Sequence, residues 1–330
     1  MNVMRLDSLI DKIVACVARH ELATGCYARW TFGEGRSFDR NEYGCADAAN
    51  ILYTVGRFPR DPDVRAEWVR HLREMQDPET GLYREATHHP IHTTAHCVAA
   101  LELFDAKPLY AVAALERYTT EEGLYELLEN EVNWQKDPWS ESHKGAGILA
   151  ALSLTDMVDL SWKNRYFEWL WEHSDPETGF FWSGERVEMP LFRHMAGGFH
   201  YLFNHEAERR AFRYPEAIID SCLQLMAERP EDSEMLRWCG FIDVDVVYSL
   251  SRAMRQTPHR FDEGKAALEA YAEAYLAMLN AMDDLTDPTF NDLHCLFGAV
   301  CCLAELQQAL PGKLLSTKPL RLVLDRRPFI

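Results

Sequence analysis

The strongest constraint on this chain is an internal repeat. Six stretches carry one pattern, a polar or aromatic approach, then small residues, then an apolar run, and they recur about every 50 residues, the length of two helices and their connections. They run Tyr43–Leu52, His92–Leu101, His143–Leu152, Arg193–Leu202, Phe241–Leu250 and Asn291–Val300. Each is apolar nearly all round and rich in small residues, which marks a buried helix. The stretches between them, such as Ala66–Met75 and Lys265–Leu276, show a 3.6-residue period with a charged face and read as amphipathic helices. Buried and amphipathic helices therefore alternate six times. The expected fold is all-α, an (α/α)6 toroid of six hairpins forming one domain over residues 1–330, since six such hairpins can close a double-layered ring. The buried helices should begin near Asp47, Thr94, Gly145, His194, Asp243 and Asp292. No alternating run is long enough to argue for a sheet.

Two connectors are near-copies. Gln76-Asp77-Pro78-Glu79-Thr80-Gly81-Leu82-Tyr83 and Ser174-Asp175-Pro176-Glu177-Thr178-Gly179-Phe180-Phe181 lie two repeats apart, each between an amphipathic helix and a buried one. Asp-Pro opens a turn, Gly supplies a positive φ, and the aromatic that follows can pack back over the hairpin.

Composition narrows the partners. Lys and Arg number 34 against 52 Asp and Glu, a net charge of −18, which repels nucleic acid and anionic membranes. No apolar run approaches the roughly 20 residues that span a bilayer. Met1–Asp7 reads as the start of an amphipathic helix rather than a signal peptide. Nine cysteines without a CxxC pair read as buried free thiols in a reducing compartment, hence a cytoplasmic protein.

The first turns of the buried helices hold titratable groups that an apolar helix does not need: Glu42, Tyr43 and Asp47; His92 and His96; His143 and Lys144; Arg193 and His194; Asp243 and Asp245; Asn291, Asp292 and His294. Unpaired, each would cost several kcal/mol, so their recurrence at one helical level suggests a common cavity. Asn291 and Asp292 also fit an N-cap. In Asp243-Val244-Asp245, repulsion between two carboxylates on a buried turn should raise one pKa, which suits a general acid. His92 and His96 share a face at i,i+4; without an intervening Glu, a polar lining is the simpler reading than a zinc pair. His143, His194 and His200 add acid–base capacity. Trp30, Trp134, Trp139, Trp182 and Trp238 sit in or near connectors, where aromatic faces suit sugar rings.

Gln76–Tyr83 followed by His92–Leu101 resembles the repeat of protein prenyltransferase β subunits and class II terpene cyclases, and the Asp-Pro-Glu-Thr-Gly-aromatic turn is also similar to turns of α/α-barrel carbohydrate enzymes such as N-acylglucosamine epimerases and unsaturated uronyl hydrolases. The cyclase resemblance implies a protonating Asp at a position matched by Asp243-Val244-Asp245, with Val246 where the motif's last Asp would stand. The prenyltransferase resemblance implies zinc held by a D-x-C and a distant His. Here Asp245 replaces the cysteine, so the corresponding set is Asp243, Asp245 and His294. It also implies a basic diphosphate pocket, for which Lys144, Arg193 and Arg237 are the candidates.

The expected function is acid–base chemistry on a small polar, carbohydrate- or uronate-like substrate, by a glycoside hydrolase, carbon–oxygen lyase or epimerase. Asp243, Asp245, His96, His143 and His194 are the expected catalytic groups. Tyr43, Asp47, His92, Trp139, Arg193, Arg237, Trp238 and His294 are expected to bind substrate. No cofactor is expected; the alternative is a divalent metal at Asp243, Asp245 and His294. Two other readings are an isoprenoid cyclase, isomerase or prenyltransferase-like enzyme, and a non-catalytic binding protein.

Overall fold

The structure is a computed structural model, and it describes residues 3–228, 240–327 and 329. Helix takes up 60% and strand 5%, so the chain is all-α. The helices in order are α1 (Asp7–Arg19), α2 (Glu42–Thr54), α3 (Pro62–Glu74), α4 (Pro90–Glu102), α5 (Glu121–Glu126), α6 (Pro138–Leu154), α7 (Leu160–Glu172), α8 (Leu191–Ala207), α9 (Pro215–Ala227), α10 (Phe241–Ala253), α11 (Phe261–Ala281), α12 (Pro288–Asn291), α13 (Leu293–Ala309) and α14 (Val323–Arg326). The stretch between α4 and α6 is irregular, with 3-10 turns over Ala113–Thr119 and a π turn over Leu127–Glu131 around the short α5.

All six expected buried helices form, as α2, α4, α6, α8, α10 and α13. The first three begin earlier than expected. The Asn41 side chain accepts from the Tyr43 and Gly44 amides and starts α2 at Glu42. Pro90 and Pro138 open α4 and α6 at the position where a missing N–H is harmless. The chain start also differs from the expected helix: Met4–Arg5 is a strand paired in parallel with Leu314–Leu315, and α1 starts only at Asp7. A second small ladder pairs Glu21–Ala23 with Cys26–Tyr27.

The two related connectors fold as their residues dictate. Asp77 accepts from the Glu79 and Thr80 amides, and Asp175 from the Glu177 amide and the Thr178 hydroxyl. Gly81 and Gly179 take φ of 73° and 80°. Closeness also requires glycine there, since a Cβ would stand 2.0 Å from the Ala111 carbonyl oxygen in one and 2.5 Å from the Ile218 nitrogen in the other.

By their contacts the residues group into two compact units. The first combines Met1–His71 with Cys222–Val323, the second Leu72–Ser221 with Leu324–Ile330, and the boundaries fall inside α3, α9 and α14. In the first unit α13 packs between α10 and α2, and in the second α6 packs between α4 and α8. No helix among the described residues is long and apolar enough to cross a membrane. Eight of the nine cysteines lie among the described residues, and all eight are free.

Candidate functional site

In the second unit, glycine fixes the height at which the helices meet. A Cβ on Gly197 would lie 2.7 Å from Pro138 Cβ, so α8 runs flush against the first residue of α6. One turn further along each helix, Ser142 faces His200: the Ser142 hydroxyl and His200 Nδ1 are 2.9 Å apart. The same register brings Asn204 Nδ2 to the Ala146 carbonyl at 3.0 Å. His200, rather than His194 of the first turn, therefore stands level with His143.

The result is a cluster of imidazoles from three neighbouring helices. Ring centroids lie 4.2 Å apart for His92 and His143, 5.1 Å for His143 and His200, and 6.2 Å for His92 and His200. His88, from the approach to α4, stacks on His92 at 4.8 Å and lies 5.4 Å from His143. His96 follows one turn below, 6.2 Å from His92. Phe329 walls one side, 4.8 Å from the His92 ring. Burial, reinforced by the neighbouring imidazoles, holds His92 and His143 well below the ordinary histidine range, and burial pushes His200 down to about 3. At neutral pH these rings are uncharged bases.

One carboxylate serves this cluster. Glu85 accepts from the Thr87 hydroxyl at 2.5 Å, and that hydroxyl lies 2.7 Å from His88 Nδ1. Both contacts are satisfied when His88 Nδ1 carries the proton, which leaves Nε2 as its basic nitrogen. Glu85 itself is 3.8 Å from that Nδ1, close enough to stabilise a charged imidazolium.

In the first unit several polar groups are matched to one another. Asp243 accepts from the Gly240 amide at 3.1 Å, capping α10, and from the Tyr271 hydroxyl. His294 Nδ1 meets an Asp47 oxygen at 2.9 Å, with the Tyr43 ring edge-on to the imidazole at 4.4 Å. Deeper in, Arg252 of α10 pairs with Glu305 of α13 at 2.7 Å, both side chains at most 2% exposed. Asp245 is not among them. It is fully buried, neither oxygen has a hydrogen-bond partner among the described residues, and burial, then the charge of Asp243, raises its pKa well above the usual carboxylate range.

Of the expected catalytic groups, only His96 and His143 belong to the imidazole cluster, joined by His92 from the expected substrate-binding set. His194 packs 5.1 Å from Trp182, and Arg193 pairs with Asp137 at 2.8 Å just before α6. Trp139 is half-buried in the first turn of α6, where its carbonyl accepts from Ser142. Of the expected metal set, Asp243 accepts from the Gly240 amide and the Tyr271 hydroxyl, and His294 Nδ1 meets Asp47. Asp292 caps α13 through the His294 amide and binds Arg29 and Trp30, as the N-cap alternative had it. Lys144 is taken by Glu141 and the Glu131 carbonyl, so it offers no open cation to a diphosphate. Arg237 and Trp238 lie outside the described residues. From the sequence, His200 counted only as added acid–base capacity, and Glu85 was not noticed; the signal that could have placed His200 is the Gly197-Gly198 pair, which marks where α8 touches its neighbours.

Comparison with protein-family models, curated proteins and solved structures gives no match to this chain.

Proposed function

We propose that this chain is an enzyme that moves protons on a small polar, carbohydrate- or uronate-like substrate, as a hydrolase, lyase or epimerase, with its chemistry at the histidine cluster of the second unit. The observation that carries this reading is the meeting of His92, His143 and His200 with ring centroids 4.2 to 6.2 Å apart, all three lowered in pKa by burial, with His88 stacked on His92. Four imidazoles from neighbouring elements bring basic nitrogens together at one place. They can accept hydroxyl protons from a polar substrate. His88, backed by Glu85 through Thr87, is the natural acid–base pair, since the carboxylate stabilises the imidazolium formed when His88 takes a proton. A carbocation would be quenched by so many lone pairs, which argues against the isoprenoid reading. The pairing of groups in the first unit suits a structural role there.

We take the six hairpins to close into the (α/α)6 toroid. The repeat of about 50 residues supports this, as does the packing of α13, the last buried helix, on α2, the first, a contact an open stack would lack. A chain with joined termini and a new opening in the α6–α7 connector should still fold cooperatively if the ring is right.

The activity test is a panel of glycosides, unsaturated uronides and amino-sugar epimers. A turnover found there should fall by about 10²- to 10⁴-fold in His88→Ala and in His143→Ala. A turnover unchanged in both variants would remove the cluster from the mechanism.

A further inference from the structure

We infer that His92, His143 and His200 bind a divalent metal ion of the zinc class, one ligand from each of three neighbouring helices, with a fourth position left for water or substrate. The inference deepens the function proposed above and rests on it for the ion's catalytic use, though not for its binding. One nitrogen from each of the three rings lies within 4.8 Å of the other two. A tetrahedral zinc with bonds of about 2.0 Å needs its nitrogens about 3.3 Å apart, so small side-chain rotations close the set around an ion. Three neutral imidazoles without a thiolate or carboxylate among them favour zinc, cobalt, nickel or copper over magnesium and calcium.

The surroundings agree with a ligand set. His200 Nδ1 is engaged by Ser142 at 2.9 Å, which turns Nε2 toward the cluster and fixes the ring, as outer partners of metal-bound histidines do. His143 keeps intermediate exposure while His92 and His200 are buried, which suits a site held from within and open on one side. With three protein ligands, an ion keeps a water and lowers its pKa toward neutrality. His88 stacks on the ligand His92 at 4.8 Å, and Glu85 lies 3.8 Å from His88 Nδ1 at the edge of the site.

The test uses the whole chain and metal alone, without substrate. Chelator-treated protein is titrated with zinc and, separately, with cobalt(II). The expected result is one tight equivalent per chain, and intense visible bands of four-coordinate cobalt that zinc bleaches. His92→Gln, His143→Gln and His200→Gln should each weaken binding by at least about 100-fold, and Ser142→Ala by about 10-fold. His205→Gln, on the same helix but bonded through Nδ1 to the Tyr201 carbonyl at 2.8 Å, should leave binding unchanged. Circular dichroism of each variant separates lost ligation from lost folding. Absent stoichiometric binding, or equal binding in all three Gln variants with their helicity intact, overturns the inference. If metal binds as described but no substrate is turned over, the metal site stands and the enzymatic reading falls. A turnover that needs His88 and His143 in chelator-treated protein would keep the enzymatic reading and remove the ion's catalytic use.

Discussion

Two three-helix layers of this molecule, α10–α13–α2 and α4–α6–α8, come from the same repeat yet use their polar residues in opposite ways. In the first, acids meet partners: Asp243 caps its own helix and takes the Tyr271 hydroxyl, Asp47 meets His294, and Glu305 meets Arg252. In the second, bases meet bases, and one carboxylate, Glu85, is supplied at the edge. The contrast teaches that a titratable residue on a buried helix signals function by the company it keeps. Opposites brought together stabilise or specify the fold, whereas like groups brought together at a shared level are costly unless something else is meant to sit between them.

The comparison breaks first at Arg252. If the first unit's charges are structural, Arg252→Ala removes the buried charge partner of Glu305 and should cost about 3–5 kcal/mol in denaturant unfolding. The double variant Arg252→Met/Glu305→Leu should recover most of that loss, because an apolar pair of similar size removes both desolvation penalties. A double variant as unstable as the single one would mean the pair is needed for something other than mutual neutralisation.

A smaller effect is expected at Asp243. Its replacement by Ala orphans the Gly240 amide and the Tyr271 hydroxyl and should destabilise by about 1–3 kcal/mol. Were this variant as stable as the parent, the capping role assigned to Asp243 would be wrong, and a site role for that carboxylate would regain ground.

Asp245 sharpens the contrast from the other side. Its carboxyl is raised above the unfolded value of 3.8, so the folded state holds its proton where the unfolded state has lost it. Stability contributed by this group is therefore complete below about pH 4 and is lost as pH rises through the folded pKa. Asp245→Asn should raise the unfolding midpoint at neutral pH and flatten the decline between weakly acidic and neutral solution. Equal profiles for parent and variant would show that the carboxyl is not held protonated.

Much of the fold was legible because burial of a helix on all sides leaves a compositional mark that needs no partner to be read, and all six marked stretches are helices. Helix starts were less so. Asn41, Pro90 and Pro138 are ordinary cap and first-turn residues, but small apolar residues drew attention to later positions. The site was legible only as a set of residue types. A sequence shows how far a residue lies from its own helix start, and His92, His143 and His194 look equivalent on that count. Their heights in space depend on where neighbouring helices touch. Gly197 against Pro138 slides α8 along α6 until His200 takes the level that His194 was expected to hold. Asp243-Val244-Asp245 drew attention for the right physical reason, since one of the two acids is indeed raised, but the other is the cap of its own helix.

The central claim, that function resides in the imidazole layer and structure in the paired-charge layer, is met most directly by one zinc titration run side by side on the parent chain, His200→Gln and Asp245→Asn. The account predicts one tight equivalent for the parent and for Asp245→Asn, with binding weakened at least about 100-fold in His200→Gln. Zinc held by His200→Gln but lost from Asp245→Asn would place the ion with Asp243, Asp245 and His294 instead, and would contradict the account.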